Sequence, residues 1–70
     1  MMTEEQVDAV TSALIPLMPE MVETIQSAAS ALRDGESDLA FFYVVQMQER
    51  MAVATNHALR LLQQKNRRAS

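Results

Sequence analysis

Arg33-Asp34-Gly35-Glu36-Ser37-Asp38 is the stretch on which the whole reading turns. Gly35 is the single glycine of 70 residues, and glycine in the left-handed conformation commonly ends a helix. Ser37 suits the cap of a following helix, and Asp38 suits its positive N-terminal end. The segment therefore predicts a helix arriving at residue 33, a turn over about 34–37, and a second helix leaving from about residue 38.

Upstream, Thr3 and Gln6 have capping-box spacing, so the first helix is expected to open at about residue 4. Apolar residues then step by three and four through Val7, Val10, Leu14, Leu17 and Met21, continue at Thr24 or Ile25 and at Ala28, and end at Ala31 or Leu32. This is one face of an amphipathic helix. Pro16 and Pro19 interrupt it, since each removes a backbone donor and clashes with the preceding turn. They should also push Ile15 and Met18 away from helical angles. Two helices or one kinked helix would satisfy these residues. The register of Leu14, Leu17 and Met21 across the prolines favours the kink.

Downstream, Ala40, Val44, Met47, Met51, Ala54, Ala58 and Leu61 repeat the four-and-three spacing, with Phe41, Val45, Ala52, Leu59 and Leu62 flanking them. The second helix is expected to run to about residue 65 and to fray beyond. Arms of about 30 residues, about 45 Å each if fully helical, joined by a short link make an antiparallel two-helix hairpin. Pairing across Gly35 then sets Met21 beside Met51, Ile25 beside Met47, and the acids of residues 4–8 beside the bases of 65–68. The fold class is all-α, a single domain over residues 1–70.

Composition agrees. Apolar residues make up 49% of the chain, with few Gly and Pro and no Cys, which excludes a disordered tail, a disulfide framework and thiolate metal sites. The longest apolar run, Leu39 to Val45, is too short to span a bilayer. The acidic start (Glu4, Glu5, Asp8) does not resemble a secretory leader, and a cytoplasmic location is expected. Seventy residues in two helices are short of core, because ordering the chain costs roughly 1.5 kcal/mol per residue. The hairpin is expected to be completed as a four-helix bundle, by dimerisation or by a helical partner.

Charge is divided along the chain. Residues 1–38 hold eight acids and one Arg, a net of −7, while residues 39–70 hold one acid and five bases, a net of +4. In an antiparallel hairpin this complements the helix dipoles and sets orientation. A polyanion contact through Lys65, Arg67 and Arg68 is the sharper reading, and it supports the alternative of a small nucleic-acid-associated regulator. The acidic balance and the absence of interleaved aromatics weigh against it.

No constellation for catalysis stands out. His57 is the one histidine and lies at the edge of the apolar face. Glu23 and Glu49 approach each other across the hairpin only beside Arg50. No Glu-x-x-His motif, phosphate loop or nucleophile elbow occurs, so no enzyme activity, metal or cofactor is expected. Interaction residues are better supported. Met18, Met21, Met47 and Met51 should cluster beside the kink, either as core filling or as an adaptable binding surface. Phe41, Phe42 and Tyr43 are consecutive, and successive helical residues turn by about 100°. At least one of them must lie outside the seam, over the turn or as an interface anchor. With Val45 and Val53 also off the main stripe, the second helix is apolar over more than one seam needs. The expectation is a protein-protein interaction module, a self-associating hairpin acting as a small adaptor or chaperone-like subunit.

A polar turn (Arg33 to Asp38), a helix opening with aliphatic and aromatic residues (Leu39 to Val45), and a Gln-rich continuation (Gln46-Met47-Gln48-Glu49-Arg50-Met51) together resemble the small helical hairpins of bacterial type III secretion. These are the needle and inner-rod subunits and the co-chaperones that hold needle subunits. The likeness covers residues 30–62 and is one of residue types. The prolines depart from it, lying inside the first helix where needle-type hairpins carry them in the turn. The resemblance implies a self-assembling or client-holding hairpin and carries over no individual residue.

Overall fold

Thr3 opens the first helix in both directions of the capping box. Its Oγ1 accepts from the Gln6 N–H at 3.1 Å, and the Gln6 Oε1 accepts from the Thr3 N–H at 2.8 Å. The computed structural model describes residues 1–69, so Ser70, at the expected frayed end, lies outside the described residues. Three α-helices follow in order: α1 (Glu4–Leu14), α2 (Met18–Arg33) and α3 (Ser37–Ala69), with a 3-10 turn at Ile15–Leu17 joining the first two. Among the described residues there is no strand.

The proline segment stays helical throughout, so α1, the 3-10 turn and α2 form one arm. Each proline occupies the second position of its helix (Pro16 in the 3-10 turn, Pro19 in α2). A first-turn N–H makes no bond within its own helical element, so proline is tolerated at both positions. The expected departure of Ile15 and Met18 from helical angles does not occur. Ile15 has φ −53° and ψ −46°, and Met18 has φ −55° and ψ −47°. The adjustment falls instead on the residues before them, Leu14 (ψ −28°) and Leu17 (ψ −5°), where the chain tightens into 3-10 winding. Just beyond, the Thr24 hydroxyl donates to the Glu20 carbonyl at 2.9 Å, a back-bond that favours bending.

Gly35 ends the arm with φ +78°. The Glu36 N–H reaches the Ala31 carbonyl at 2.8 Å and the Gly35 N–H reaches the Leu32 carbonyl at 3.1 Å. This is the Schellman arrangement, which satisfies carbonyls the helix end would otherwise orphan. One detail differs from expectation. α3 starts at Ser37, and the Glu36 carbonyl already accepts from the Ala40 N–H at 3.0 Å. Glu36 therefore holds the cap position and Ser37 lies inside the first turn. At its far end α3 continues past Lys65 to Ala69, carried by good helix formers and by Arg67 and Arg68 at the negative end of the helix.

Both α1 and α2 pack along α3, giving a rod of 55 × 18 × 18 Å. The seam follows the heptad positions: Leu17, Met21, Thr24, Ala28 and Ala31 on the first arm are buried or half-buried, as are Ala40, Met47, Met51, Ala54 and Ala58 on α3. Where two choices were open, the seam takes Thr24 and Ala31, turning Ile25 and Leu32 outward. At the chain ends the seam leaves the strict repeat. Val7 and Leu61 are exposed, while Gln6, Ala9 and Ala13 on α1 and Leu62 on α3 are drawn in. A straight α-helix drifts about 20° per heptad from a seven-residue repeat, so positions two heptads from mid-rod have rotated off the seam.

Candidate functional site

The arms leave two different flanks beside the seam. Glu20 directly precedes the seam residue Met21, and Arg50 directly precedes Met51. These two side chains meet in an ion pair of 2.7 Å, both partly exposed. The pair shows that residues preceding the seam share one flank on both arms. In an antiparallel pair, the residues that follow the seam must then share the opposite flank.

The first flank is polar. A small cleft of about 120 Å³ lies there, bounded by Leu17, Met21, Thr24 and Met47 and closed by Glu20 and Arg50. Met21 and Met47, one from each arm, both line this cleft. Towards the chain ends this flank places Glu5 and Asp8 in one shallow groove with His57 and Lys65. Acidic start and basic end therefore lie at the same end of the rod. Near the turn, Tyr43 sits half-buried over Ser27, Ser30 and Ala31. Among the described residues, no three His, Asp or Glu side chains come together as a metal site, and no helix is long and apolar enough to cross a membrane.

The second flank is apolar. On the first arm, Ile15, Met18, Val22, Ile25 and Leu32 are between 49 and 62% exposed. They follow the same three-and-four spacing as the seam, one residue on. Ala29 completes the stripe and is exposed. On α3 the corresponding positions are Phe41, 69% exposed, the exposed Gln48 and Ala52, and the half-buried Val45, Thr55 and Leu59. From Ile15 to Leu32 and from Phe41 to Leu59 the positions of this flank carry no charged residue.

The methionines expected as one cluster are divided. Met21, Met47 and Met51 are half-buried in the seam, and Met18 stands out on the apolar flank. The aromatic triad is divided too. Phe41 faces the apolar flank and Phe42 points outward, while Tyr43 leans to the polar side with its ring set edge-on to Phe42 at 6.3 Å. Lys65, Arg67 and Arg68 are exposed at the end of α3. Sequence reasoning had identified the flanking stripe of α3 but missed its counterpart on the first arm. The signal was the second set of apolar residues offset by one from the first, which reads as ambiguity about the seam until the arms are set side by side.

No family model, curated protein or solved structure matches the chain. The functional reading therefore rests on the hairpin's own surface. A compact monomer of this mass exposes about 4,400 Å² by the usual scaling, and this chain exposes 5673 Å². Its radius of gyration is 15.8 Å, against about 11 Å for a compact 70-residue domain. Among the described residues the buried hydrophobic ones are Ala31, Ala40 and Ala58, and each buries little apolar area.

Proposed function

We propose that this chain is a protein-protein interaction module, a self-associating helical hairpin that serves as a small adaptor or chaperone-like subunit. One observation carries the reading: an uncharged apolar flank runs along both arms of a chain that exposes about 1,300 Å² more surface than a compact monomer of its mass. Monomeric proteins rarely expose contiguous apolar patches beyond about 300–600 Å². Chains of this size commonly complete their core by association. The likeness of residues 30–62 to type III secretion hairpins accords with a self-assembling or client-holding role.

Sedimentation of the purified chain from about 1 to 200 µM, across the usual range of protein association constants, tests the reading. Reversible association is expected, with helix content falling as the chain is diluted. A fully helical monomer over the whole range, unmoved by any helical partner, ends it. The nucleic-acid alternative predicts RNA or DNA binding that weakens steeply with salt through Lys65, Arg67 and Arg68. With the acidic first arm alongside those bases, no salt-sensitive binding is expected.

A further inference from the structure

The apolar flank is two helices wide and uncharged, and its shape suggests its own occupant. We infer that a second copy of this chain covers it, with both turns at the same end of the bundle and the first arm of each copy lying on α3 of the other. The inference rests on the interaction reading above and names the partner, the face and the arrangement.

Area is the first argument. Stable interfaces take about 800 Å² from each partner, and this flank runs along both arms of a rod 55 Å long and 18 Å wide. A second hairpin has the width and length to cover the flank completely.

Size complementarity is the second. The Glu20–Arg50 pair sets these two residues at one height along the rod. Counting outward, Met18 lies level with Ala52, Ile15 with Thr55, Ile25 with Val45 and Ala29 with Phe41. A two-fold axis along the rod keeps these heights and brings the first arm of one copy onto α3 of the other. Met18 then meets the small Ala52 of the partner subunit, and Phe41 meets Ala29 of the partner subunit. These two pairs set a large side chain against an alanine, which favours close packing, while Ile15 and Ile25 meet the β-branched Thr55 and Val45 of the partner subunit. A two-fold axis across the rod would instead lay first arm on first arm, opposing Ile15, Met18, Val22 and Ile25 to the same bulky set.

Charge is the third. With the turns together, the first arm of each copy, net −4, lies between two α3 helices of net +3, its own and the partner's. The alternative sets two such acidic arms, each of net −4, side by side. Isologous contact through an uncharged face also buries no unpaired ion.

The test uses the full chain with Glu36→Cys as a spin-label site, since the protein has no cysteine of its own. Position 36 is exposed, and its role in the turn is through the backbone. With helices about 10 Å apart, pulsed dipolar spectroscopy should give a label distance below about 30 Å. A distance near the 55 Å length of the rod overturns the arrangement. The face is tested by Ile25→Lys on the apolar flank against Ser27→Lys on the polar flank. An unpaired charge in the centre of an interface should weaken dimerisation by about 100-fold or more, and Ser27→Lys should change it by less than about threefold. A dimer indifferent to Ile25→Lys overturns the face while leaving the interaction reading standing. A chain that stays monomeric until a different helical protein is added overturns the second copy as occupant. Should Ile25→Lys prevent folding, the label distance on Glu36→Cys still decides.

Discussion

Gly35 is the residue on which the hairpin depends most. At φ +78° it holds a conformation that L side chains rarely adopt, and no heavy atom lies within 4 Å of where a Cβ would be. Replacement by Ala therefore probes backbone conformation alone, free of any clash. Gly35→Ala should destabilise the fold by about 1–2 kcal/mol, lowering the urea midpoint with little change in slope. At the other end, the two capping-box bonds of Thr3 should be worth about 1 kcal/mol to α1, lost in Thr3→Ala. The aromatic triad separates by flank. Phe41→Ala should weaken association by about 2 kcal/mol as an interface anchor. Phe42→Ala and Tyr43→Ala should weaken it by less than about 0.5 kcal/mol, as judged by sedimentation equilibrium. Equal effects from all three would remove the special place given to Phe41. That the three residues diverge follows from their being consecutive on a helix. Which one faces which flank does not, because that depends on where the opposite arm lies.

At the scale of the element, the proline turn adjusts the first arm without breaking it. Pro16 and Pro19 follow directly on Ile15 and Met18, two residues of the exposed apolar stripe. The 3-10 winding sets how these side chains stand relative to Val22 and Ile25 further along α2. Pro16→Ala combined with Pro19→Ala should raise helical ellipticity and stabilise the monomeric arm by roughly 1–3 kcal/mol. Because it shifts the two residues ahead of each proline, it should also weaken association by about tenfold. Circular dichroism and sedimentation on the same samples separate the two effects. Unchanged association would leave the prolines without a role in binding. The heptad spacing of both arms was legible in the residues, as were the capping box and the turn glycine. The helical angles at Ile15 and Met18 were not, because the local clash before proline is absorbed by neighbours when the rest of the arm is held against α3.

At the scale of the whole molecule, the hairpin is long and thinly packed. It is a rod whose seam buries three alanines, Ala31, Ala40 and Ala58, and larger side chains only in part. A protein completed by association gains stability by mass action, so its melting temperature should climb by several degrees between about 5 and 500 µM. A melting temperature independent of concentration would mark a self-sufficient monomer. The Glu20–Arg50 pair is partly exposed and contributes no more than about 1 kcal/mol. Raising the salt concentration should therefore loosen the alignment of acidic and basic arms more than it lowers stability.

Helix content, the position of the turn and the antiparallel order of the arms all follow from residues close together in the chain: the cap at Thr3, the glycine at position 35 and the four-and-three spacing of apolar side chains. These are short-range preferences, and they act before any long-range contact forms. The choice between Thr24 and Ile25, or between Ala31 and Leu32, is of another kind. Either set could have formed the seam, and only packing against α3, with Glu20 meeting Arg50 on one side, turned the larger residues outward into a continuous uncharged flank. A spacing pattern describes one helix, whereas a flank belongs to two helices at once and exists only when their rotations about their own axes are set together.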